Sequence, residues 1–161
     1  MATVHRDVLI DAGPEEVWAA MSDWGEVHRK LAPGFVVDTR VEGDVRMVTF
    51  VEGTVVRELI VSLDDDARRI AYSVVGGSLD VVHHHASMQV FAEAGGGSRF
   101  VWITDVQPHS LAEPIAAMVD QGIGVIQRTL EAAAAPFPDA FAALRRAEWL
   151  CLVACHAALA G

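Results

Sequence analysis

Cysteine is nearly absent: Cys151 and Cys155, one helical turn apart near the end of a 161-residue chain, are the whole supply. That excludes the disulfide framework that staples small secreted domains. Both fit buried apolar positions in a reducing compartment, so a cytoplasmic location is expected. Basic residues are scarce too, 12 Lys and Arg against 22 Asp and Glu, giving a formal charge of -10. Nucleic acid and anionic membrane surfaces both demand clustered Lys and Arg, so neither is an expected partner. No apolar run reaches the ~20 residues a membrane span requires. Met1 to Asp7 carries charged and polar groups, and no signal peptide is expected there. Walker loops, G-x-S-x-G elbows and dinucleotide fingerprints are likewise missing, which leaves NTPase, serine hydrolase and Rossmann readings without support.

What the chain does have is apolar content, 52% of residues with a mean hydropathy of +0.31. One domain with a substantial core follows, and disorder does not. Its organising stretch is 110–135. At helical spacing Leu111, Ile115, Met118, Val119, Gly122, Val125, Ile126 and Leu130 share one side, opposite Glu113, Asp120, Gln127 and Glu131. Ser110 and Glu113 have capping-box spacing, and Pro114 suits a first turn. Gly122 and Gly124 each cost the helix roughly 1 kcal/mol relative to Ala. Gly122, inside the apolar stripe, therefore marks either a close approach or a space.

Upstream, 3–10 reads as a strand, and Asp11-Ala12-Gly13 turns into a helix opened by Pro14 with Val17, Trp18 and Met21 buried. A second short helix is expected over 24–30. The period then becomes two, and strands are expected over 35–41, 45–51, 54–63, 69–75, 81–92 and 100–106. Their connections, among them Glu42-Gly43-Asp44, Gly76-Gly77 and Gly95-Gly96-Gly97, read as hairpin turns. Pro136-Phe137-Pro138 should stop the long helix. Asp139 opens an expected helical extension over 136–161, whose apolar end would pack on the domain or form a homodimer contact.

The run from Ile10 to Asp23 resembles the opening of the START-like, helix-grip (SRPBCC) superfamily, in its polyketide cyclase/dehydrase and lipid-transport branch. Gly43-Asp44-Val45-Arg46, Arg57-Glu58-Leu59, Arg68-Arg69, Tyr72, Gly76-Gly77, Trp102 and Pro108 continue the resemblance in order. It covers residues 3–135. It implies an α+β helix-grip fold: a curved antiparallel sheet of about seven strands, ordered β-α-α-β6-α, wrapped around the long helix and an apolar cavity.

Successive strand side chains face opposite ways. The resemblance places Arg46, Val48, Glu58, Ile60, His84, Ala86 and Met88 on the concave face, and on the last strand it favours odd positions, Val101, Ile103 and Asp105. Trp24 at the cavity mouth, with Met118 and Gly122 on the helix, completes the expected ligand-binding set. Buried charges persist when paired and often mark a site. An Arg46–Glu58 pair would orient a ligand carbonyl or carboxylate, and His84 with Glu58 or Asp105 would be the proton-moving groups of an enzyme. The same pair with water would equally satisfy a half-open cavity without chemistry. In His83-His84-His85, alternation turns His84 away from its neighbours, too few ligands for a tetrahedral site, so no metal or other cofactor is expected. Two functions stay open: binding of a small hydrophobic molecule (lipid, polyketide, aromatic or isoprenoid), or cyclase, aromatase or dehydratase chemistry in the same cavity. A third class is an interaction module working through the acidic surface or the tail.

Overall fold

The computed structural model describes residues 1–135. The expected helical extension and its dimer contact fall outside the described residues. The order is β1 (Ala2–Ile10), α1 (Pro14–Ser22), a π-helical turn (Val27–Leu31), β2 (Val36–Glu42), β3 (Val45–Phe50), β4 (Val55–Asp64), β5 (Arg69–Gly77), β6 (His83–Ala92) and β7 (Ser98–Gln107). A 3-10 turn (His109–Leu111) and the long helix α2 (Ala112–Ala134) follow. The strands form one curved antiparallel sheet in the order β1-β7-β6-β5-β4-β3-β2. Beyond the β2–β7 meander, the first strand returns to pair with the last, as in a helix-grip fold.

Even-numbered residues of β1, β3, β5, β6 and β7 face inward. The inner row includes Val4, Ile10, Val48, Ile70, Met88, Val90, Phe100 and Val106, all buried. Ile115, Val119, Ile126 and Leu130 of α2 join those clusters. Burying each such side chain contributes roughly 1.5–3 kcal/mol. Gly122 settles its own question: a Cβ there would lie 3.1 Å from both Phe35 Cε1 and Trp102 Cζ3. It lets two aromatic rings meet the helix rather than leaving space. Arg6 of β1 ties the outer side of α2 through Asp120.

Several local expectations need correction. Leu111, not Ser110, precedes α2, and no side chain caps that end. Ser110 is drawn into the 3-10 turn, so its hydroxyl is not at the cap. The short second helix is a single π-helical turn, burying Val27 and Leu31. Gly76-Gly77 does not turn; it prolongs β5 opposite Arg57 and Val56. β6 accordingly starts at His83 rather than at 81.

Candidate functional site

Arg46 and Glu58 are directly opposed across β3 and β4. Both point into the interior, and they are only 4% and 6% exposed. Arg46 Nε donates to Glu58 Oε2 at 2.7 Å, and its Nη1 donates to the Trp24 carbonyl at 3.0 Å. Its guanidinium carbon lies 3.3 Å from the centre of the Trp24 ring. Ion pairing, a carbonyl and a stacked π face therefore all hold one planar cation, which suits Arg better than Lys. Tyr72, inward on β5, continues the row. Its ring centroid is 5.6 Å from that of Trp24 and 6.0 Å from that of His84. Burial, with the Glu58 carboxylate second, pushes the Tyr72 phenol well up, so it stays protonated. The buried Trp102 indole N–H has no hydrogen-bond partner among the described residues.

His84 begins the inner row of β6. The ladder between β5 and β6 ends at Tyr72–Ala86. Past it, the Val74 amide donates to His84 Nδ1 at 3.1 Å, and the Ser73 hydroxyl donates to the His84 carbonyl. Side-chain atoms thus replace ladder atoms where the strands part. Burial, followed by repulsion from His85 and His83, lowers the His84 pKa to about 4 against a weaker opposing pull from Asp105. The unfolded imidazole binds a proton below about 6.5 and the folded one only below about 4. Stability from this group is therefore complete above pH 6.5 and is lost as pH falls from there toward 4. Roughly 3 kcal/mol should disappear over that window. Urea denaturation at stepped pH should show the loss in the wild type and not in His84→Phe; identical profiles would refute it.

These groups border an apolar cavity between the sheet and α2. Its walls include Leu31, Phe35, Val48, Phe50, Val56, Val74, Leu79, Met88, Trp102, Thr104, Ile115, Met118, Val119 and Ile126. The volume that the centre of a water molecule can occupy is about 50 Å³. An engineered apolar cavity that takes up benzene measures about 150 Å³, so this interior holds a few waters and little more. Side chains fill most of the space between the layers.

Of the residues singled out from sequence, Arg46, Val48, Glu58, His84, Met88 and Met118 border the cavity. Trp24 stands behind Arg46, and Gly122 backs onto Phe35 and Trp102. Ala86 is wholly buried beside Tyr72. Ile60 is half-buried at the β4 bulge, away from the cavity. Asp105 and Ile103 are corrections, as is the parity proposed for Val101. On β7, Trp102 and Thr104 line the cavity, because β6 pairs even with even: Ala86 with Thr104, Met88 with Trp102. Asp105 lies opposite His85 and Thr3 on the outer face, where it accepts a hydrogen bond from the Thr3 hydroxyl. Tyr72, Thr104 and Trp102 line the cavity but are absent from the expected ligand-binding set. Extending the even-numbered row one strand either side of Glu58 and His84 would have found them. Among the described residues, no three His, Cys, Asp or Glu side chains gather as a metal cluster, and no helix is long and apolar enough to cross a membrane.

No curated protein sequence matches the chain significantly. Solved structures do resemble it. The protein XoxI of Bacillus cereus superposes with a TM-score of 0.71 at 20% identity, over 83% of this chain and 96% of its own. The di-domain ARO/CYC protein BexL of the BE-7585A biosynthetic pathway gives 0.71 at 17%, over 84% of this chain and 48% of its own. Norcoclaurine synthase of Thalictrum flavum, in complex with a transition-state analogue, gives 0.59 at 20%, over 80% and 93%. At these identities the likeness establishes the fold alone. Residues 1–137 match the family model described as polyketide cyclase / dehydrase and lipid transport, and the chain belongs to that family.

Proposed function

We propose that the protein binds a small, mostly apolar molecule between the sheet and α2, with the Arg46–Glu58 pair as the fixed polar end of the site. The observation that carries this reading is the placement of a solvent-shielded ion pair on the wall of a largely apolar cavity. Desolvating two charges is expensive, and apolar residues of similar volume commonly serve stability as well or better. An ion pair kept in such a place has a use in recognition.

The cavity as it stands is too small for a lipid or a polyketide. A ligand of more than a few atoms enters by displacing walls, and Met88 and Met118 are the adaptable ones, unbranched and polarisable. Apolar area removed from water then supplies the affinity, at about 25 cal/mol per Å². The cyclase or dehydratase alternative needs a group that accepts a proton near neutrality. His84 is neutral at pH 7, but Val74 already engages its Nδ1, and Asp105 faces away. Glu58 is locked to Arg46. These constraints favour binding over proton transfer.

Titration with 1-naphthol, followed by amide and methyl NMR, tests the reading. Shifts should centre on Val48, Met88, Trp102 and Met118, and Met118→Trp should weaken binding at least tenfold by filling the site. Shifts confined to the outer face of the sheet, or undiminished binding by Met118→Trp, would overturn it.

A further inference from the structure

We infer that His84 is a fixed hydrogen-bond donor that selects a neutral carbonyl compound, a ketone, ester or amide on a small apolar body, as the ligand of this cavity. The inference rests on the binding reading above and deepens it. An amide N–H only donates, so the nitrogen facing the Val74 amide carries a lone pair. Turning the ring over would set a carbon against that buried N–H, which would then have no acceptor. With Nδ1 unprotonated, the neutral imidazole carries its hydrogen on Nε2. The ring lines the cavity, and no partner for Nε2 is present among the described residues. The Ser73 hydroxyl, bound to the His84 carbonyl, fixes the backbone from which the ring projects.

The titratable groups facing this space are Arg46, Glu58, Tyr72 and His84. Arg46 and Glu58 neutralise each other, while Tyr72 and His84 are uncharged at neutral pH. A carboxylate would therefore arrive without a free counter-charge, at a steep desolvation penalty. A neutral carbonyl oxygen needs only a donor. His84 Nε2–H is one, and the protonated phenol of Tyr72, whose ring lies 6.0 Å from that of His84 on the same cavity wall, is the second. Held this way, the imidazole neither takes nor gives a proton; it aligns the ligand.

The test pairs cyclopentanone with methylenecyclopentane, which has the same shape but no acceptor oxygen. Affinities are read by NMR titration in the wild type, His84→Phe and His84→Gln. His84→Phe should weaken cyclopentanone about tenfold, the worth of one good hydrogen bond, and leave methylenecyclopentane within about twofold. The infrared carbonyl band of bound cyclopentanone should sit at lower frequency in the wild type than in His84→Phe, with His84→Gln recovering part of the shift. Long-range 1H–15N spectra of the wild type read the tautomer directly, whatever the variants' stability, and should show hydrogen on Nε2. Hydrogen on Nδ1, or equal losses for both probes, would overturn the inference while leaving the binding site standing. If neither probe binds the wild type, the binding reading itself falls and this inference goes with it.

Discussion

Glu58→Ala is expected to destabilise the domain by about 3–5 kcal/mol, because it strands the Arg46 guanidinium inside the fold. Arg46 would keep the Trp24 carbonyl and ring as partners but lose its only carboxylate among the described residues. The double substitution Arg46→Met with Glu58→Leu should restore most of that stability, since two apolar side chains of similar volume need no counter-charge. It should also remove the polar end of the cavity. Chemical denaturation of the three variants distinguishes a mutually dependent pair from two independent contacts. A loss of only about 1 kcal/mol in Glu58→Ala, the size of an exposed pair, would show that water reaches Arg46.

Gly77→Ala is expected to be the most damaging of the glycine substitutions, at about 3 kcal/mol or more. At φ +112° the residue sits where L side chains are strained, and an added Cβ would lie 2.3 Å from the Val55 carbonyl oxygen. Backbone atoms form that wall, so no side chain can swing aside; β4 and β5 must separate. Gly53 and Gly95 have positive φ but open surroundings, and Ala there should cost only about 1–2 kcal/mol. Thermal unfolding of the three variants checks the ranking. Equal shifts would mean that φ alone decides, and that the close approach of β5 to β4 has no energetic weight.

The fold was legible because its signals are strong and local. Alternation from Phe35 to Val106 gave the sheet strands to within a few residues, and the stripe from Ile115 to Leu130 gave the gripping helix. Legibility failed where tertiary context outranks local chemistry. Gly76-Gly77 looks like a turn, yet the strand runs on because only glycine lets its backbone lie against Val55 and Val56. Ser110 has cap chemistry, but the chain leaving β7 closes a 3-10 turn first. The site was half legible. The resemblance places Arg46 and Glu58 on the concave face, where the β3–β4 register sets them opposite each other, whereas the odd parity it favours for the last strand puts Asp105 on the wrong face, because β6 pairs even with even. The small size of the cavity has no sequence signal at all. It depends on how Phe35, Trp102, Met88 and Met118 interdigitate.

The early end of the β5–β6 ladder has a mechanical consequence. Those strands share four paired residues, whereas β6–β7 share ten and β1–β7 nine. The sheet is therefore two leaves, β2–β5 and β6-β7-β1, stitched along a short hem. Splaying the leaves beyond Tyr72 breaks the Val74–His84 and Ser73–His84 bonds but no regular ladder bond. The hem is thus the seam of the sheet that parts at the smallest loss of paired residues.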